Sequence, residues 1–146
     1  MRMRARRGRF RPGRAVRRLT TGSPFEARIG YSRAVVCDGW VFVAGTTGYD
    51  YATMTLPAAV EDQCRNALAT IGRVLREAGS SLDDVVRVTY VLPDRTDFPA
   101  CWPLTSAAFA TARPAAMMLK AGLMEPAMKI EIEVTARLSP GTDPGS

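Results

Sequence analysis

The sequence predicts an α+β layer fold, a mostly antiparallel sheet with two helices on one face. Three observations point there. Several short segments alternate apolar and polar residues with the period of two that side chains follow along a strand. One long segment instead repeats its apolar residues at three and four, the signature of an amphipathic helix. Turn residues fall between these segments rather than inside them.

The first ordered stretch, EARIGYSRAVVCDGWVFVAG, reads as two strands joined at Asp38-Gly39, the dipeptide that best suits a two-residue hairpin. A polar and aromatic loop, TTGYDYATM, follows Gly45. In LPAAVEDQCRNALATIGRVLREAGSS, Leu56, Val60, Cys64, Ala67, Leu68, Ile71, Leu75 and Ala78 share one helical face. Pro57 is expected in its first turn and Gly79 just past its end. VVRVTYVLP is a β-branched strand. DFPACWPLTSAAFATA is a second helix with Asp97 as its cap, since its prolines are confined to the opening turns. PAAMMLKAGL and MKIEIEVTARL supply the fourth and fifth strands, giving the order ββαβαββ. With two helices for five strands, one sheet face is left for water or a partner.

A length of 146 residues with 47% apolar content suits one domain with a real core. The net charge of +6 is unevenly spread. Residues 1–20 hold nine arginines and no acid, so the remainder carries 11 Lys and Arg against 14 Asp and Glu, a net −3. Residues 1–22 are therefore read as an arginine-rich arm, 23–138 as a single domain and 139–146 as a flexible tail. Three readings of the arm are open: a transit peptide, though poor in serine; a nucleic-acid-binding tail, though Phe10 is its sole aromatic; or a disordered extension. The absence of apolar periodicity favours the last. Nucleic acid is thus expected to make only nonspecific contact with the arm. No apolar run approaches the roughly 20 residues that span a bilayer. Cys37, Cys64 and Cys101 form no C-x-x-C pair and read as reduced thiols, which places the protein in the cytoplasm.

The chain has no histidine. His-based triads and the commonest metal ligand are therefore excluded, and chemistry must rest on carboxylates, hydroxyls, thiols, backbone groups, Lys or Arg. In KIEIEVTARL, Glu131 and Glu133 stand on the same strand face, roughly 6.6 Å apart by strand rise. Like charges so placed repel unless water, cations or a ligand occupy that face.

Five pieces in order resemble the Rid family (YjgF-like, reactive-intermediate deaminases). They are GYSRAV at 30–35, DGWVFVAGTTG at 38–48, AGSSLDDVVRVTYVLPDRTDF at 78–98, ARPAAMMLKAGL at 112–123 and KIEIEVTA at 129–136. The resemblance implies a chorismate-mutase-like fold and a homotrimer. Open sheet faces would pack around the axis, with small-metabolite sites in clefts between subunits. It implies hydrolysis of 2-imino acids or enamines to 2-keto acids and ammonia, with no cofactor and no metal. Glu131 would position the water, with Tyr31 as a second catalytic candidate. Gly45, Thr46, Trp102, Ala116, Met117 and Met118 would line the substrate.

Several family positions differ. Ala44 stands for a serine, Thr46 for a glutamine, Trp102 for a helix asparagine and Met118 for a cysteine or valine-like residue. The family's carboxylate-binding arginine follows Pro-Ala; here Pro114-Ala115 is followed by Ala116. Alternation would put Arg113 on the opposite strand face, unable to replace it. One lost bidentate contact costs on the order of 2–4 kcal/mol of binding. The changed cleft should accordingly favour a less anionic and more apolar ligand, and generic 2-imino acid turnover is not expected. A non-catalytic metabolite-binding trimer is the alternative. The ribonuclease activity attached to the family by name lacks here a His or Lys acid–base pair.

Overall fold

The computed structural model describes residues 15–141. Six strands form one sheet: β1 (Arg17–Leu19), β2 (Ala34–Cys37), β3 (Trp40–Thr47), β4 (Val85–Leu92), β5 (Ala115–Lys120) and β6 (Glu131–Arg137). The helices are α1 (Pro24–Ile29), α2 (Val60–Ala78) and α3 (Phe98–Ala108). Sheet order is β1-β2-β3-β6-β4-β5, antiparallel throughout except for the parallel pair β4–β5. The connection between β4 and β5 carries α3, as a parallel crossover requires.

The α+β reading holds, with one more strand and one more short helix, and the strand read from Glu26 begins only at Ala34, because the Ser23 cap and Pro24 start helix α1 over Pro24–Ile29. Both extra elements lie in or beside the stretch read as an arm. Arg17–Leu19 pairs with Ala34–Val36, Leu19 is buried, and the Arg17 guanidinium donates to the Ala78 carbonyl at 2.7 Å. A three-residue strand is too short to show alternation, so its arginines masked it. The arm boundary at residue 22 is therefore too late; residues 1–14 and 142–146 lie outside the described residues. In α1, Ser23 caps the helix by accepting from the Phe25 amide, Pro24 occupies the first turn, and Gly30 ends it at φ 92.

At the β2–β3 hairpin both Asp38 (φ 50) and Gly39 (φ 84) are left-handed, the geometry a two-residue turn of this twist needs. The helix α2 begins at Val60, so Leu56 and Pro57 precede it. The Pro57 carbonyl instead accepts from buried Gln63, whose amide also holds the Ala127 carbonyl and the Lys129 amide. This one side chain ties the loop before α2 to the loop before β6. Gly48 permits it: a Cβ there would lie 2.3 Å from the Gln63 Cα. Asp97 stands at the N-cap of α3 but makes no side-chain cap; Asp94 caps the preceding turn through the Thr96 amide.

The core lies between the sheet and α2 with α3. Ile71 and Leu75 pack against Val41, Val88, Ile132 and Val134 in one buried cluster. The other sheet face carries exposed Trp40, Phe42, Met117 and Leu119 around the polar row Glu131, Glu133, Thr135 and Arg137. Arg137 stacks over the Trp40 ring at 5.9 Å rather than pairing with Glu133. No helix among the described residues is long and apolar enough to cross a membrane.

Candidate functional site

Two cavities hold most of the candidate residues, and they lie on different sides of the sheet. The first, about 470 Å³, is lined by Tyr31, Arg33, Gly45, Tyr51, Met128 and Glu131 among others. Its floor is Arg33, only 1% exposed. One guanidinium nitrogen donates to the Gly45 carbonyl (2.9 Å) and the Thr46 hydroxyl (3.1 Å), and the other to the Tyr31 hydroxyl (3.2 Å). The Tyr31 and Tyr51 rings stand 5.5 and 5.3 Å from the guanidinium carbon. Nε has no hydrogen bond and faces the Glu26 carboxylate at 3.8 Å. A cation this deep is tolerable only with such a set of partners. Tyr31 and Arg33 stand in the irregular stretch just before β2, and the Tyr31 hydroxyl bond brings them together; no motif in the sequence marks Arg33. Burial pushes the Tyr51 hydroxyl up, against the pull of Arg33.

Two carboxylates feel this cation differently. Burial works against ionised Glu26, but hydroxyls of Thr21 and Thr20, the Thr21 amide and Arg33 together hold its carboxyl below the ordinary range. The Glu131 carboxylate receives no hydrogen bond from any described residue. Burial pushes its carboxyl up, Arg33 pulls it back in part, and Glu133 adds to the rise. It lies against Gly45, where a Cβ would meet Glu131 Oε1 at 2.3 Å. Glu131 is therefore a half-buried acid with spare hydrogen-bonding capacity, suited to hold or pass a proton.

Thr46 does not join this cavity. A register shift in β3 between Val43 and Thr46 turns its side chain inward, fully buried, to donate to the Ala44 carbonyl and accept from Arg33. It positions Arg33 and is out of a ligand's reach, contrary to its assignment to the substrate.

The second cavity, about 380 Å³, is lined by Tyr90, Phe98, Trp102, Phe109, Arg113, Ala116 and Met118 among others. Ala116 and Met118 pair with Val88 and Tyr90, which in turn pair with Val134 and Ile132 on the helix side. Glu131 alternates to the other side, so one chain does not bring Glu131 and Ala116 together. Met117 also alternates away, onto the open face, and lines neither cavity. Arg113 departs from its expected place. It precedes β5 in a left-handed conformation (φ 45), its amide bonded to the Phe109 carbonyl at 3.0 Å. Strand alternation therefore does not govern it, and it borders the same cavity as Ala116.

Cys64 and Cys101 are buried against each other between α2 and α3; the hydrogen bond with the Cys101 sulfur, and then burial, push the Cys64 thiol up. Among the described residues no three His, Cys, Asp or Glu side chains cluster as a metal site.

Comparison with known proteins places this geometry. The endoribonuclease L-PSP family profile matches residues 21–138. A goat protein (Capra hircus) named 2-iminobutanoate/2-iminopropanoate deaminase is 33% identical over 129 residues, covering 87% of this chain and 94% of its own. A RutC family protein from Pyrococcus abyssi is 32% identical over 107 residues, covering 73% and 84%. A Mycobacterium tuberculosis member of the YjgF/YER057c/UK114 family superposes with a TM-score of 0.77 at 34% identity, covering 84% of this chain and 99% of that one. With the match running from α1 through β6 and the fold shared, the chain belongs to the endoribonuclease L-PSP family, the YjgF or Rid proteins.

Proposed function

We propose that this chain forms a homotrimer in whose inter-subunit clefts an imine- or enamine-type metabolite is bound and hydrolysed, with Glu131 as the acid–base group. The observation that carries the reading is the half-buried Glu131 carboxyl, its pKa raised by burial, without a hydrogen bond from any described residue and packed on Gly45 beside Arg33 and Tyr31. In the reaction Glu131 takes a proton from water as its oxygen adds to the C=N carbon. That proton is returned to nitrogen, giving a carbinolamine; a second proton passes from the new hydroxyl through Glu131 to nitrogen as the C–N bond breaks, and a carbonyl compound and ammonia leave. The cation beside Glu131 keeps it ionisable despite burial, so both protonation states are within reach.

The split between the two cavities supports the inter-subunit arrangement. Glu131 and Ala116 face opposite ways in one chain, and the apolar residues flanking the polar row of the open face suit burial against another copy. Family relatives named as deaminases of 2-iminobutanoate and 2-iminopropanoate support the reaction class. Small 2-imino acids are proposed to be poor substrates, because position 116 offers a methyl group where a carboxylate anchor would stand. That observation favours a second reading, a non-catalytic trimer that binds a small metabolite in the same cleft. A cytoplasmic location is part of the proposal, resting on the three free thiols.

The test is turnover of imines generated in place by an amino-acid oxidase, scored by loss of semicarbazide trapping. Wild type should accelerate hydrolysis, and Glu131→Gln should lower kcat/KM by about 10²–10⁴-fold. Equal rates for wild type and Glu131→Gln would leave the binding trimer as the function.

A further inference from the structure

We infer that the cavity between β4, α3 and β5 takes an aromatic side chain carried on a carboxylate, with Arg113 as the cation, so that the preferred substrates are aromatic 2-imino acids. This rests on the hydrolase reading and narrows its substrate class. Four aromatic side chains, Tyr90, Phe98, Trp102 and Phe109, line the cavity. Phe98 links the Tyr90 ring (5.1 Å) to the Trp102 ring (6.3 Å, edge-on), so they form one continuous apolar wall. Opposite stand Ala116 and Met118. The methyl group of Ala116 leaves space that a long side chain would fill, and the resulting 380 Å³ exceeds what a single ring requires.

The cavity is not merely greasy. Arg113 borders it, is exposed, and makes no side-chain hydrogen bond or ion pair with any described residue. Its left-handed backbone, closed by the hydrogen bond its amide donates to the Phe109 carbonyl, sets it at the cavity beside Pro114 rather than in the strand. An unpaired guanidinium at the rim of an aromatic pocket selects a ligand with an apolar body and one anionic end. A small 2-imino acid offers the anion without the body.

The probes are phenylpyruvate and pyruvate, stable keto counterparts of a large and a small substrate, with binding to the full chain read by calorimetry. Phenylpyruvate should bind at least about tenfold more tightly than pyruvate, the worth of burying a ring. Arg113→Gln should weaken phenylpyruvate by about tenfold or more. Ala116→Leu, which fills the cavity at an exposed and therefore tolerant position, should weaken phenylpyruvate by a similar factor and weaken pyruvate less, so that the preference between the two shrinks. Trp102→Ala should also weaken phenylpyruvate. Equal affinity for the two probes, or phenylpyruvate binding untouched by any of the three substitutions, overturns the assignment. Loss of assembly in Ala116→Leu also overturns it, since the cavity would then hold a neighbouring copy. Turnover is scored separately. A preference for phenylpyruvate without imine hydrolysis sinks the hydrolase and keeps the cavity; hydrolysis without the preference does the reverse.

Discussion

Around Arg33 each side chain is held by another. Thr46 and Gly45 take one guanidinium nitrogen, Tyr31 the other, two rings cover its faces, and Glu26 is fixed by Thr21. Around Ala116 little is held: Trp102 is 55% exposed, Met118 is 56% exposed, and all of β5 lies at the surface. The polar cavity is thus a structural element as well as a site, whereas the exposed rim of the aromatic cavity, Trp102, Ala116 and Met118, can change without endangering the fold, its floor of Tyr90 and Phe109 being part of the core. Buried charge explains the contrast, because each unpaired group there costs several kcal/mol while an exposed apolar side chain costs almost nothing to replace.

The contrast is broken most severely at Arg33. Arg33→Met leaves Glu26 charged and 5% exposed without its cation, and should destabilise the chain by about 3 kcal/mol in denaturant titration. Next comes Gly45→Ala. The new methyl group displaces the tip of Glu131, a mobile group, so stability should change little while kcat/KM falls by up to about 10²-fold from misplacement alone. A melting curve beside a rate assay separates the two effects.

The two glutamates then give opposite pH signatures. Glu131 has its folded pKa raised, so its contribution is fully present at pH below its unfolded value and is lost as pH rises through the folded one. Glu131→Gln should therefore melt higher than wild type at pH 7, the gap closing toward pH 4. Glu26 has its folded pKa lowered, so its contribution is present above the unfolded value and lost as pH falls through the folded one. Glu26→Gln should melt lower at pH 7 and converge with wild type only in acid. Smallest is Trp102→Ala, expected to alter stability by less than about 0.5 kcal/mol.

Much of the fold was legible because its signals are local. The Asp38-Gly39 hairpin, the apolar stripe of α2 and the alternation of β6 each declare themselves within a dozen residues. β1 was not, since three residues cannot show a period and two of them are arginine. Within the site, Glu131, Tyr31 and Gly45 were legible from motif order, and the structure brings them to one cavity. Thr46 and Arg113 were misplaced for one reason. Each sits where regular alternation fails, at a register shift in β3 and at a left-handed residue before β5. The role of Glu26 depends on a contact across the β1–α1 turn that no spacing in the sequence announces.

The central claim is that a working site joins the polar cavity of one copy to the aromatic cavity of another. Glu131→Gln disables the first half and Ala116→Trp, by filling the space, the second. Each variant alone should be inactive toward an aromatic 2-imino acid. Unfolding the two together in equal amounts and refolding should restore activity in about a quarter of the sites, those pairing an intact half from each variant around a closed ring. Activity in the mixture no greater than the sum of the separate variants would contradict the claim and place both halves of the site within one chain.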